Sequence, residues 1–218
     1  MHRRTCCAVI AALVVVAVVS APASAQNLLA NPSFEQPITM DGPPFVGFWE
    51  GFAGPPTSSA SNSTASPRTG AQNLDLTITA TPNTFTGVFQ DVVGLTPGMP
   101  ATWSGFHRTP TSPTAFGVAV EYRIEWRNSV TNLEVSRNQL TEPLPTDAYA
   151  PFSITAPVPV GADTARVVYA IQTFGGEPNP GDTGTVFIDD VSFTVIPEPS
   201  AIALAGLGSV GLLRRRRA

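Results

Sequence analysis

The sequence predicts an all-β domain, a sandwich or jelly roll of about five to nine short strands. Three observations carry that expectation. Thr, Val, Phe, Pro, Gly and Ser dominate residues 26–196, apolar alternation recurs there in short runs, and Gly/Pro turns separate the runs. No helical stripe longer than about ten residues interrupts them. In chain order, residues 54–67 are rich in Pro, Ser and Thr without periodicity and read as a long surface loop. Residues 74–79 and 86–92 are strand candidates, followed by a tight turn at Leu95-Thr96-Pro97-Gly98. The strand at 101–108 sets Ala101, Trp103, Gly105 and His107 on one face and Thr102, Ser104, Phe106 and Arg108 on the other. After a loop at 109–114, Val118, Val120, Tyr122, Ile124 and Trp126 alternate with Ala119, Glu121, Arg123, Glu125 and Arg127, giving one apolar and one charged face. A short strand at 152–155, the alternation of Val167, Tyr169 and Ile171, a loop at 175–184 and a last strand at 186–195 complete the set.

Both ends differ from this core. Arg3 and Arg4 precede an apolar run at 6–20, and Ala21-Pro22-Ala23-Ser24-Ala25 follows it. That order is a signal peptide helix, removed by signal peptidase between Ala25 and Gln26. At the other end stand Pro197-Glu198-Pro199, an apolar stretch at 201–213, and Arg214, Arg215, Arg216 and Arg217. As a helix the apolar stretch reaches about 20 Å, short of a bilayer core of roughly 30 Å. The arginines stay on the cytoplasmic side. The tail therefore reads as a transmembrane-like helix holding the chain only transiently for processing. The organisation is a leader at 1–25, one domain at 26–196 and a tail at 197–218.

Cys6 and Cys7 leave with the leader, so neither disulfides nor thiolate metal sites hold the domain together. The domain has no lysine and six arginines against fifteen acidic residues, a net charge of −9 that the whole-chain value of −4 conceals. That balance excludes nucleic acid and argues against adhesion to anionic lipid by charge.

The tail, over 196–218, resembles the PEP-CTERM sorting signal of Gram-negative bacteria. The resemblance implies cleavage near Pro197-Glu198-Pro199 by an exosortase and delivery to the outer surface, the extracellular matrix or exopolysaccharide. The domain carries a second resemblance. Asn27-Leu28-Leu29-Ala30-Asn31-Pro32-Ser33-Phe34-Glu35 opens it and Phe187-Ile188-Asp189-Asp190-Val191-Ser192-Phe193 closes it. Between them come Gly87-Val88-Phe89-Gln90-Asp91-Val92 and Leu95-Thr96-Pro97-Gly98. In this order they resemble carbohydrate-binding modules built on the galactose-binding-like jelly roll, which implies a single jelly-roll β-sandwich.

The same resemblance implies a structural calcium, held by Glu35 and one of Asp189 and Asp190. Carboxylates gathered near backbone carbonyls suit such a hard cation. With Val191 and Phe193 in the core, Asp189 shares their phase and Asp190 faces the other way, unless a bulge intervenes. The alternative is solvated end-of-strand acids, with Glu35 capping a turn. For sugar, aromatic rings flanked by polar groups are the expected platform. The family pattern points to Phe106 and Arg108, with Glu121, Arg123 and Glu125 as polar neighbours. Trp49 sits in an aromatic-glycine loop with Phe45, Phe48 and Phe52, as a binding wall or as a lid on the core. Tyr122 and Trp126 share the apolar phase and belong to the core. The charged face of 118–127 reads first as a solvated sheet with weak ion pairs, ahead of a sugar site.

Catalytic templates fail. His107 is the only histidine after the leader, no Gly-x-Ser-x-Gly accompanies it, and zinc lacks ligands. Gly206-x-Gly208-x-x-Gly211 matches a dinucleotide fingerprint but lies in the tail with no strand before it. The expected protein is an exported, noncatalytic surface or matrix protein that binds polysaccharide. The alternatives are a structural protein of the same fold without a ligand, and a small glycoside hydrolase using Glu121 and Glu125.

Overall fold

The computed structural model describes residues 25–45, 47–54, 58–79, 83–110, 117–173 and 183–196. The leader helix, the tail helix, Pro197, Glu198, Pro199 and the four tail arginines lie outside the described residues. Among the described residues there are ten strands: β1 Glu50–Ala53, β2 Ser58–Ser63, β3 Asn73–Thr79, β4 Phe85–Val93, β5 Pro100–Arg108, β6 Val118–Arg127, β7 Glu134–Pro143, β8 Ala150–Pro157, β9 Thr164–Thr173 and β10 Thr183–Val195. They form two antiparallel sheets of five strands, β1-β4-β9-β6-β7 and β2-β3-β10-β5-β8. The architecture is the jelly-roll β-sandwich the sequence predicts.

Period-two alternation decides which side chains meet between the sheets. Val120, Tyr122, Ile124 and Trp126 of β6 face Trp103 and His107 of β5 and Val186 and Ile188 of β10, all buried. Trp49 is fully buried as well. Its ring lies 5.1 Å from Phe34 and 6.2 Å from Trp103, and its Nε1–H donates to the Asn31 carbonyl. Of the two roles expected for Trp49, wall or lid, the structure assigns the lid.

Three strands escape an alternation reading. β2 lies inside the stretch that reads as a surface loop, and only Ala60 of it is buried. β1 runs through the aromatic-glycine loop. β7 is exposed at every position, as the edge strand of its sheet, paired to β6 alone among the described strands. A strand wet on both faces has no reason to alternate.

The phase expected for Asp189 is corrected. The register between β10 and β5 shifts between Asp189 and Ser192, and Asp190 has φ 49°. This bulge inserts one residue, so Ile188, Val191 and Phe193 all point into the core while Asp189 points out beside Phe106.

Candidate functional site

The two outer faces differ in what covers them. On the sheet containing β5 and β10, residues 65–72 fold over the middle. The backbone N–H groups of Arg68 and Thr69 donate to Asp189 Oδ2, and Asn73 Nδ2 donates to the Ala65 carbonyl. Asp189 is fully buried there, and burial pushes its carboxyl up against three backbone donors that pull it down. Asp190 accepts from Ser33, Thr69 and Arg68. Burial raises its carboxyl, but those hydrogen bonds outweigh it and hold the group below the ordinary range. Glu35 Oε1 accepts from the N–H groups of Ala71 and Gln72.

Glu35, Asp189 and Asp190 thus all grip residues 68–72, but each with its own donors. Among the described residues no group of three His, Cys, Asp or Glu side chains could hold a metal ion. At Asp190 the Arg68 guanidinium stands where a cation would bind, so of the two aspartates Asp189 is the one left to share a calcium with Glu35.

Phe106 and Arg108 lie on this covered face. The Arg68 guanidinium sits 3.5 Å above the Phe106 ring, and that of Arg108 lies 5.7 Å from the Tyr149 ring. Glu121, Arg123 and Glu125 lie on the outer face of the other sheet, across the whole sandwich. The structure therefore divides the expected sugar site in two.

On the outer face of β1-β4-β9-β6-β7 the registers put a consistent set of side chains side by side, of which Phe89, Asp91, Arg123 and Gln172 reach solvent. Glu50, Phe89, Val168, Arg123 and Gln139 form one row across the sheet. Phe52, Gly87, Ala170, Glu121 and Thr141 form the next. Val168 and Ala170 point outward from the central strand yet are buried. Small outward residues at the centre of a sheet become inaccessible when taller neighbours stand on both sides of them. One wall is aromatic: Phe52 lies 6.1 Å from Phe85 and 6.4 Å from Phe89, and Phe45 meets Phe89 edge-on at 5.1 Å. Gly87 makes room for this wall, since a Cβ there would stand 2.5 Å from the Phe52 ring.

The opposite wall is charged. Arg123 donates to Glu121 and Glu125 on either side, and Gln172 Nε2 donates to the far oxygen of Glu121 at 3.0 Å. Arg166 closes one end. It binds Asp91 through two nitrogens at 2.7 and 2.8 Å and lies 4.0 Å over the Phe89 ring. Burial pulls its pKa down, but Asp91 outweighs that and raises it. A cleft of ≈ 330 Å³ adjoins the aromatic wall, lined by Pro44, Phe45, Phe48, Glu50, Phe89 and Asp91 among others. Glu50 is buried at its side, accepting from Thr39 Oγ1 and the Gly42 N–H.

Of the residues expected at the sugar site, Glu121 and Arg123 stand on this face and Trp49, Phe106 and Arg108 do not. Phe85, Phe89, Asp91 and Arg166 are the ones sequence reasoning passes over. The signal was present in β4, where Phe85, Gly87, Phe89 and Asp91 share one phase opposite Thr86, Val88, Gln90 and Val92.

Comparison with known proteins agrees at two scales. Residues 195–217 match the PEP-CTERM protein-sorting motif, a signal that marks the chain for export to the surface or exterior. In fold the chain is similar to the carbohydrate-binding module TmCBM61, solved in complex with β-1,4-galactotriose (14% identity, TM-score 0.51, 78% of this chain and 99% of that one). It is similar in the same way to the CBM22-1 xylan-binding domain of Paenibacillus barcinonensis Xyn10C (14% identity, TM-score 0.51, 79% and 96%). The enzymatically active domain of tailspike protein 4 from bacteriophage CBA120 also matches (14% identity, TM-score 0.54), and there the chain covers 78% of itself but only 21% of the tailspike. No curated protein matches the sequence. The class defined is thus a jelly-roll sandwich, a fold shared with carbohydrate-binding modules, with a PEP-CTERM sorting motif behind it.

Proposed function

We propose that this chain is an exosortase-processed, noncatalytic surface or matrix protein that binds a neutral polysaccharide on the outer face of β1-β4-β9-β6-β7. The observation that carries the reading is the cleft of ≈ 330 Å³ beside Phe45 and Phe89, continued across the face by Phe52 and Phe85 on one side and the Glu121–Arg123–Glu125 row with Gln172 on the other. Apolar sugar faces suit the first wall and hydroxyls the second. A neutral ligand is favoured because the arginines of this face already hold carboxylates: Arg123 with Glu121 and Glu125, Arg127 with Glu125, Arg137 with Glu134, Arg166 with Asp91. An acidic chain would have to break those pairs. Hydrolysis is disfavoured on the same ground, since Arg123 fills the gap between Glu121 and Glu125 where a scissile bond would lie.

The test is titration with soluble neutral polysaccharides, galactan and xylan first, beside a uronate polymer. Binding to a neutral chain that falls about tenfold or more, about 1.4 kcal/mol, in Phe85→Ala and Phe89→Ala but not in Phe106→Ala supports the site. Binding lost only in Phe106→Ala moves it to the other sheet, and binding of the uronate polymer alone overturns the neutral class.

Calcium is proposed in the narrower form the donors leave, on Glu35 and Asp189 with backbone carbonyls. The observation behind it is that Glu35 and the fully buried Asp189 both bind residues 68–72, through backbone N–H groups that a cation would have to displace. Its role is structural, tying residues 33–35 and 68–72 to β10, and it stabilises by mass action. A melting temperature that drops in chelator and returns with calcium supports it; one indifferent to chelator removes it.

A further inference from the structure

The most exposed large apolar side chains among the described residues gather at one end of the sandwich. Val130 and Val160 are 89% exposed, Val93 71% and Leu133 66%. Val93 ends β4, Val130 and Leu133 lie in the loop from β6 to β7, and Val160 lies in the loop from β8 to β9. The registers put these points together: Val93 and Arg127 both pair with Thr164 at the start of β9. Hydrogen bonds then bind the loops to one another. Asn128 Nδ2 donates to the Gly161 carbonyl, Ser129 N–H to Asp163, and the Leu95 N–H to the Asp163 carbonyl. Residues 94–99, 128–133 and 158–163 contain one charged group, Asp163, and its carboxylate is engaged by Ser129 and Thr164.

Both ends of the domain leave from this same side. β10 finishes beside the start of β5, where Val195 pairs with Ala101 and the Ile196 N–H donates to the Pro100 carbonyl. The Leu28 N–H donates to the Phe193 carbonyl, so the chain enters here as well. Only residues 197–200 separate Ile196 from the apolar tail, a reach of about 18 Å when fully extended. A tail seated in a bilayer therefore keeps this end of the sandwich within one such reach of the lipid.

We propose that these loops form a lipid-facing end, which rests Val93, Val130, Leu133 and Val160 in the bilayer interface while the sorting tail is inserted. Exposed apolar tips with a single, hydrogen-bonded carboxylate among them suit the headgroup boundary. The domain's net negative charge lies on its other surfaces, so anionic lipid favours this end over any other. Because the loops are short and hydrogen-bonded to one another, the contact also fixes orientation. The outer face of β1-β4-β9-β6-β7 then stands upright from the membrane, free to meet polymer.

The test uses the chain after leader removal, residues 26–218, which has no cysteine of its own, reconstituted in phosphatidylethanolamine/phosphatidylglycerol vesicles that carry a lipid-attached quencher. Single cysteines at Val130→Cys, Val160→Cys, Ser59→Cys and Ser209→Cys carry an environment-sensitive fluorophore. Blue shift and quenching at positions 130, 160 and 209 with none at position 59 support the proposal. Quenching at 209 alone overturns it while leaving the tail's seat in the membrane intact. No quenching at 209 overturns both the seated tail and the proposal.

Discussion

At the scale of single residues, His107 shows how the core sets a solution property. Its Nδ1 lies 2.6 Å from the Tyr169 hydroxyl, and its ring packs 5.3 Å from Phe152. Burial lowers its pKa from 6.5 to about 4, with Glu142 pulling weakly the other way. Between those values the unfolded chain takes up a proton that the folded one refuses. Stability is therefore complete above pH 6.5 and falls as pH drops toward about 4, by on the order of 3 kcal/mol. Urea midpoints measured at about pH 7 and about pH 4.5 should show that loss, and His107→Gln should lose less over the same interval. An equal loss in the variant would assign the effect to carboxylates. The sequence placed His107 on the face of Trp103, which the structure bears out. The partner Tyr169 was not legible, because it comes from the opposite sheet and sixty-two residues away.

Elements that carry the core were legible, and those that carry edges and joints were not. β6 announced itself through five apolar residues in phase, whereas β2 and β7 have water on the faces that would have marked them. The bulge in β10 is a joint of the same kind. It turns on Asp190 at φ 49°, a conformation the residue order Asp189-Asp190 permits but does not announce. That strand nevertheless controls what processing can remove. β10 lies in the middle of its sheet, paired to β3 on one side and β5 on the other, and its last pairs are Phe193 with Trp103, Thr194 with Thr102 and Val195 with Ala101. A chain ending at Pro199 keeps all of them and should melt with the full chain. A chain ending at Ser192 loses the fully buried Phe193 and should fall by about 3–5 kcal/mol. Calorimetry on the two truncations checks this, and equal melting would mean that β10 closes the sandwich before Phe193.

For the molecule as a whole, the address and the fold were written plainly because each rests on order along the chain: a motif before an apolar run before arginines, and alternation between turns. The site was written only in part. A recess depends on which outer face remains open, and that was decided by residues 65–72 folding over β5 and β10. No local pattern in those residues says which sheet they cover. The charges add a property of the entire domain. Its net charge is −9, yet the outer face of β1-β4-β9-β6-β7 carries four arginines, each already bound to a carboxylate. A neutral polysaccharide docking there leaves the pairs intact and changes no net charge. Screening should then matter little, although the Debye length shrinks from about 30 Å at about 0.01 M salt to about 3 Å at about 1 M. Titration of galactan or xylan across that range should give affinities within about threefold of each other, a difference below about 1 kcal/mol. Affinity that collapses with salt would mean a ligand held through charge, and the arginine pairs of that face would then have to open to receive it.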